Sequence, residues 1–102
     1  MTSNLTYNQI CVLSAIAKED QYGLGIIKEV KESSGIKIVL GSLYNILAKL
    51  EKLNFVESYW GEATENRGGN RRRYYKITGV GEQMLLDTQN GLNNLWSGLQ
   101  LG

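Results

Sequence analysis

Between positions 41 and 78 the spacing of apolar residues changes from threes and fours to twos. Leu43, Ile46, Leu47, Leu50 and Leu53 recur at helical intervals and predict one amphipathic helix over 41–53. Asn45, Ala48 and Lys52 fall opposite that stripe, with Tyr44 and Lys49 on its flanks. The outer face is short, polar and, apart from Glu51, free of acid. Asn54 is placed to end the helix, since asparagine tolerates the left-handed conformation. From Phe55 to Ala63 aromatic and β-branched residues predict a strand. Arg67-Gly68-Gly69-Asn70 is a turn signal, because glycine accepts positive φ without a steric cost. Arg71 to Thr78 returns as the partner strand, with Arg73, Tyr75 and Ile77 on one face and Arg72, Tyr74 and Lys76 on the other.

The flanking chain reads as support for this unit. Thr6 and Gln9 form a capping box, and Leu5 and Ile10 a hydrophobic staple, for a first helix over 6–18. Its main apolar face is expected to be Ile10, Leu13, Ile16 and Ala17, with Cys11, Val12 and Ala15 adding a second. A short helix that is apolar nearly all round is buried on more than one side. After a polar break at 18–21, Tyr22 to Ser33 predicts a second helix with Ile26, Ile27 and Val30 inward, closed by Gly35. Ile36 to Leu40 is a short β-type run that is expected to add a third strand to the hairpin. Thr78 is placed to cap a last helix over 79–99. Leu85, Leu92 and Leu99 lie seven apart, with Leu95 at the complementary position and Met84 and Trp96 beside the stripe. Gly81, Gly91 and Gly98 weaken that helix by roughly 1 kcal/mol each relative to alanine. Packing against a second copy of the chain would compensate; folding back on its own domain is the alternative.

The expected fold class is therefore mainly α with a small β-hairpin wing: a winged helix-turn-helix over 1–78, then a dimerisation helix over 79–102. Dimer contacts are expected from Ile10, Leu13, Leu85, Leu92, Leu95, Trp96 and Leu99.

Composition narrows the function. The 102 residues suit one domain, and 42% hydrophobic residues are ordinary for a globular chain. Net charge is only +1, so the case for an anionic partner rests on a local cluster. Arg67 to Lys76 holds five cations and no acid. Such a cluster repels itself unless phosphates balance it. Histidine is absent and Cys11 is the single cysteine, which removes the commonest general base and any zinc set. No P-loop or dinucleotide fingerprint occurs; Gly23 and Gly25 lack the third glycine and the preceding strand. The chain is thus expected to be no enzyme, to need no cofactor, and to act in the reducing cytoplasm. No stretch approaches the roughly 20 apolar residues a membrane span needs.

A helix with a readable outer face followed by a basic wing suits double-stranded DNA, with helix 41–53 in the major groove and wing 64–73 on the backbone or minor groove. Ser42, in the first turn, is placed for a phosphate. Tyr44 can reach a phosphate or pack on the second helix. Asn45 is placed for a base edge, since asparagine pairs well with adenine. Lys49 can reach guanine or phosphate, and Lys52 the backbone or solvent. Asn70, Arg71, Arg72 and Arg73 are expected on phosphates or in the minor groove. The alternative for Arg73 is pairing with Glu57 or Glu62 across the hairpin. A protein-binding winged helix is the competing reading.

These residues resemble the PadR family of bacterial transcriptional regulators over about Tyr22 to Leu85. The resemblance lies in Tyr22-Gly23, Gly41-Ser42-Leu43-Tyr44, Leu47-x-x-Leu50-Glu51 and Arg72-x-x-Tyr75-x-Ile77-Thr78-x-x-Gly81. The usual proline after Leu-Tyr is here Asn45, in a chain with no proline. The resemblance implies a homodimeric repressor at a promoter operator, of the small subfamily with a single C-terminal helix. In multidrug-sensing relatives a tryptophan on that helix lines a flat pore between subunits. Trp96 is similarly placed, which implies a site for planar aromatic effectors; dimer core is its other reading. Clock-associated relatives use the domain without a known small-molecule signal.

Overall fold

The computed structural model describes residues 4–62 and 71–100. In chain order it contains α1 (Tyr7–Lys18), β1 (Gln21–Tyr22), α2 (Gly23–Ser34), α3 (Leu40–Lys52), β2 (Val56–Trp60), β3 (Arg73–Ile77) and α4 (Gly79–Trp96). The predicted turn at Arg67–Asn70 lies outside the described residues.

Local signals act as expected at the helix ends. The Thr6 hydroxyl accepts the Gln9 N–H at 3.2 Å while the Gln9 side chain accepts the Thr6 N–H at 2.9 Å, closing the capping box of α1. Gly35 ends α2 at φ 76°, and its N–H donates to the Lys31 carbonyl. Asn54 follows α3 at φ 64°.

The core is built from Val12, Leu13, Ala15 and Ile16 of α1, Ile26 and Val30 of α2, and Leu43, Leu47 and Leu50 of α3. Ile38, Phe55, Val56 and Tyr75 close it. Buried area of this kind is the main stabilising term, worth roughly 1.5–3 kcal/mol for each large apolar side chain. The face expected for α1 is rotated: Ala17 is exposed, whereas Val12 and Ala15 are buried. Helix α1 packs against α2, α3, β3 and α4, so its two apolar faces merge into one core surface.

The sheet has strand order β1-β3-β2 and is antiparallel throughout. Val56 pairs with Ile77 and Trp60 with Arg73. Its third strand is Gln21–Tyr22, which pairs with Tyr75 and Tyr74, and not the predicted run at 36–40. Ile38 is buried in the core, Ile36 packs against it, and Leu40 already belongs to α3. Ile38 turns into the core while Val39 stays exposed, so the run serves as a connector and the free edge of β3 is taken by the two residues preceding α2.

Helix α4 springs from a double anchor. The Thr78 hydroxyl accepts the Gly81 N–H at 3.0 Å and donates to the Asn54 carbonyl at 2.7 Å. The Thr78 N–H donates to the Phe55 carbonyl at 3.0 Å. Gly81 is buried because a β-carbon there would collide with the Phe55 carbonyl oxygen and lie 2.8 Å from Ile77 Cγ1. This glycine permits close approach of α4 to the sheet and is more than a weak point in a helix.

Candidate nucleic-acid interface

Helix α3 presents two distinct faces. Leu43, Leu47 and Leu50 are essentially inaccessible, whereas Ser42, Tyr44, Asn45, Ala48, Lys49 and Lys52 are exposed. The predicted outer face is thus open as a continuous strip. Tyr44 realises its packing alternative in part. Its hydroxyl lies over Gly23 at the start of α2, 3.3 Å from where a β-carbon would stand, while half of the residue stays exposed. Leu40 Cδ1 lies 3.7 Å from the same point, so Gly23 lets α2 approach the start of α3 closely.

The three consecutive arginines have three different surroundings. Arg71 is exposed and donates through Nε to the Gly61 carbonyl at 3.0 Å. Arg72 is half-buried, with its guanidinium 4.1 Å above the ring of Tyr22. Arg73 donates to Ser58 Oγ at 2.7 Å and lies 3.8 Å from Glu51 Oε2 at the end of α3. Its guanidinium also sits 5.8 Å from the Trp60 ring and 5.9 Å from that of Tyr75. The structural alternative for Arg73 therefore has a different acid from Glu57. The register sets Glu57 opposite Lys76, on the other face of the hairpin, and sets Ser58 beside Arg73. Asn70 lies outside the described residues.

A row of tyrosines on the second face of the sheet was not foreseen. Tyr59 stacks on Tyr74 at 5.7 Å, and Tyr22 meets Tyr74 edge-on at 5.8 Å. Gly61 makes room for the Tyr74 ring. The Tyr59 hydroxyl donates to Asp20 at 2.6 Å, and the Asp20 carboxylate holds that phenol above its ordinary pKa. Alternation of Arg72, Tyr74 and Lys76 contained half of this arrangement. The other half needed β1, whose two residues are too short to show a period.

The residues expected at a dimer interface fall into two groups. Leu13 is fully enclosed by its own domain and has no surface to offer a second chain, a correction that follows from the central place of α1. Ile10 and Leu85 are partly covered. Leu92, Leu95, Trp96 and Leu99 are exposed, Leu95 at 73%. Between α1 and α4 runs an open groove of about 440 Å³ lined by Ile10, Ser14, Leu85, Thr88, Leu92 and Trp96. Among the described residues no group of three potential metal ligands occurs, and no helix is long and apolar enough to cross a membrane.

A helix with a free outer strip beside a basic two-stranded wing defines a winged-helix nucleic-acid-binding protein. The chain belongs to the PadR-like family of transcriptional regulators, whose family model matches residues 12–87. Its fold is similar to a PadR-like transcription factor of Bacteroides fragilis, with 32% identity, 86% of this chain and 82% of the other covered, and a TM-score of 0.75. It is also similar to a PadR family transcription regulator of Clostridium difficile R20291, with 30% identity, 91% and 100% covered, and a TM-score of 0.71. An uncharacterized protein of Lysinibacillus sphaericus is 32% identical over 76 residues, which span 72% of this chain and 67% of the relative. The protein is a DNA-binding transcription regulator and not an enzyme.

Proposed function

We propose that the chain acts in the cytoplasm as a homodimeric repressor, with residues 1–78 reading an operator and residues 79–102 pairing two copies. Helix α3 would enter the major groove, and wing 64–73 would lie on the backbone or in the minor groove. The observation that carries this reading is the division of α3. Three leucines hold it in the core while Ser42, Tyr44, Asn45, Ala48, Lys49 and Lys52 share one open surface. In this reading Asn45 meets a base edge, Ser42 and Lys49 meet phosphate or guanine, and Asn70, Arg71 and Arg72 take the backbone. Arg73 divides its donors between the phosphates and α3. The exposed Leu92, Leu95 and Trp96 of α4 and Leu99 just beyond it support pairing through this end of the chain, with Ile10 and Leu85 at the edge of the contact.

The test is binding to duplex DNA at two salt concentrations, with fragments of the promoter region of its own gene set against scrambled DNA. Selective binding with a steep salt slope that flattens in Arg71→Ala/Arg72→Ala is the expected result. Equal, weak binding to both DNAs, unchanged in that variant, would instead favour a winged helix that docks on an acidic protein.

One observation favours a sensor role in addition. The groove between α1 and α4 contains Trp96 and has room for a planar aromatic compound. Quenching of Trp96 fluorescence by such compounds in a Trp60→Phe background, together with release of DNA, would establish it.

A further inference from the structure

The open strip of α3 has an uneven chemistry. From Leu40 to Ala48 the helix carries no charged residue, and its cations, Lys49 and Lys52, stand in its last turn. Guanine is read most often by a bidentate arginine or lysine, and cytosine by a carboxylate that accepts from its amino group. The groove-facing middle of α3 offers neither. The acid of the helix, Glu51, faces Arg73 at 3.8 Å. What the middle does offer is the exposed carboxamide of Asn45, which makes no hydrogen bond with the described residues, and the methyl of Ala48 one turn away. A carboxamide is the side chain that matches the N6 and N7 edge of adenine, and apolar side chains match the 5-methyl of thymine.

Resting on the DNA-reading role above, we infer that α3 selects A·T base pairs at the centre of its half-site, with Asn45 on adenine and Ala48 on a thymine methyl. Side chains at i and i+3 on a helix stand about 5–6 Å apart. Base pairs rise about 3.4 Å per step along each strand. Asn45 and Ala48 therefore reach neighbouring pairs. Asn45 stands where the resembling family has proline. An amide hydrogen-bonding group thus replaces a ring that has none, and this selectivity is a property of this chain's own residue. Lys49 and Lys52 serve the flank, where they meet phosphate or a guanine at the border of the half-site.

The full chain is used to select binders from a random duplex library, and the enriched duplex is then altered atom by atom. Replacing the central adenine by 7-deazaadenine removes the N7 acceptor. Replacing central thymines by uracil removes the methyls. The expected outcome is an A·T centre, a loss of about tenfold on 7-deazaadenine that disappears in Asn45→Ala, and a loss of about fourfold for the contacted methyl that disappears in Ala48→Gly. Circular dichroism checks that these variants, all on the exposed face, keep the fold. Enrichment of a G·C centre, or an unchanged 7-deazaadenine penalty in Asn45→Ala, overturns this inference and leaves the DNA-reading role standing. No enrichment of any sequence overturns both.

Discussion

Arg73 of β3 reaches Glu51 at the end of α3, with 3.8 Å between Nη2 and Oε2. The same nitrogen donates to Ser58 at 2.7 Å. The pair ties β3 to α3, but both side chains are a third or more exposed, so solvent screens the attraction.

Arg73 and Arg71 should therefore behave differently on truncation. Arg73→Ala is expected to lower stability by about 1 kcal/mol through the lost Ser58 bond. A double-mutant cycle with Glu51→Gln should give a coupling below about 0.5 kcal/mol. Arg71→Ala should leave the thermal midpoint nearly unchanged and reduce the salt slope of DNA binding by about one unit. Urea denaturation and fluorescence anisotropy read the two effects separately. A coupling above 2 kcal/mol would mean that the Arg73–Glu51 contact is far less hydrated than its exposure indicates.

Two glycines should respond in opposite directions to the same substitution. A methyl group at Gly81 meets the Phe55 carbonyl and Ile77, so Gly81→Ala is expected to destabilise the fold by about 2 kcal/mol. Gly41 has open space around it in the first turn of α3, so Gly41→Ala should stabilise by about 0.5–1 kcal/mol. Thermal denaturation of both proteins decides this, and a stabilised Gly81→Ala would show that α4 stands away from the sheet.

These cases also mark what could be read from the chain. The amphipathic stripe of α3, the caps at Thr6 and Thr78 and the left-handed Asn54 rest on interactions within a few residues, so pattern alone located them. The partner of Arg73, the covering of Arg72 by Tyr22 and the demand for glycine at 81 depend on elements far apart in sequence. Ile36–Leu40 misled because a β-branched apolar run suits an extended core segment as well as a strand. Leu13 misled because periodicity shows that a face is apolar but not which body covers it.

Stability should fall at both ends of the pH scale for identifiable reasons. Tyr59, bonded to Asp20, and Tyr75, covered by the core, both have folded pKa values raised above the ordinary 10.0. The neutral phenols thus contribute stability that is complete below pH 10 and is lost as pH rises through the raised values. Tyr59→Phe should flatten part of that alkaline loss. On the acid side, Lys18 at 2.6 Å and Ser33 hold the Glu29 carboxyl below its ordinary 4.5. Its contribution is present above pH 4.5 and disappears as pH falls, so Glu29→Gln should flatten the acid limb. Thermal midpoints from pH 3 to 11 for each variant check both signs.

The proposed pairing through α4 would make stability depend on concentration. Leu95, at 73% exposure, is expected to be covered in the dimer. Leu95→Glu should yield monomers in sedimentation and remove the rise of the thermal midpoint with protein concentration. Unchanged sedimentation would place the contact between copies elsewhere.

The joint at Thr78 has a mechanical meaning. One hydroxyl grips both the start of α4 and the carbonyl that ends the turn after α3, so the direction of the long helix is set at the base of α3. The 18 residues of α4 span about 27 Å at 1.5 Å each. A tilt of about 5° at this pivot would carry the far tip through about 2.4 Å, roughly two thirds of the rise of one base pair. A second copy seated on that lever would have its own reading helix swung along the duplex. The threonine would then act as the calibration point of a caliper whose opening decides which operator spacings the pair can span.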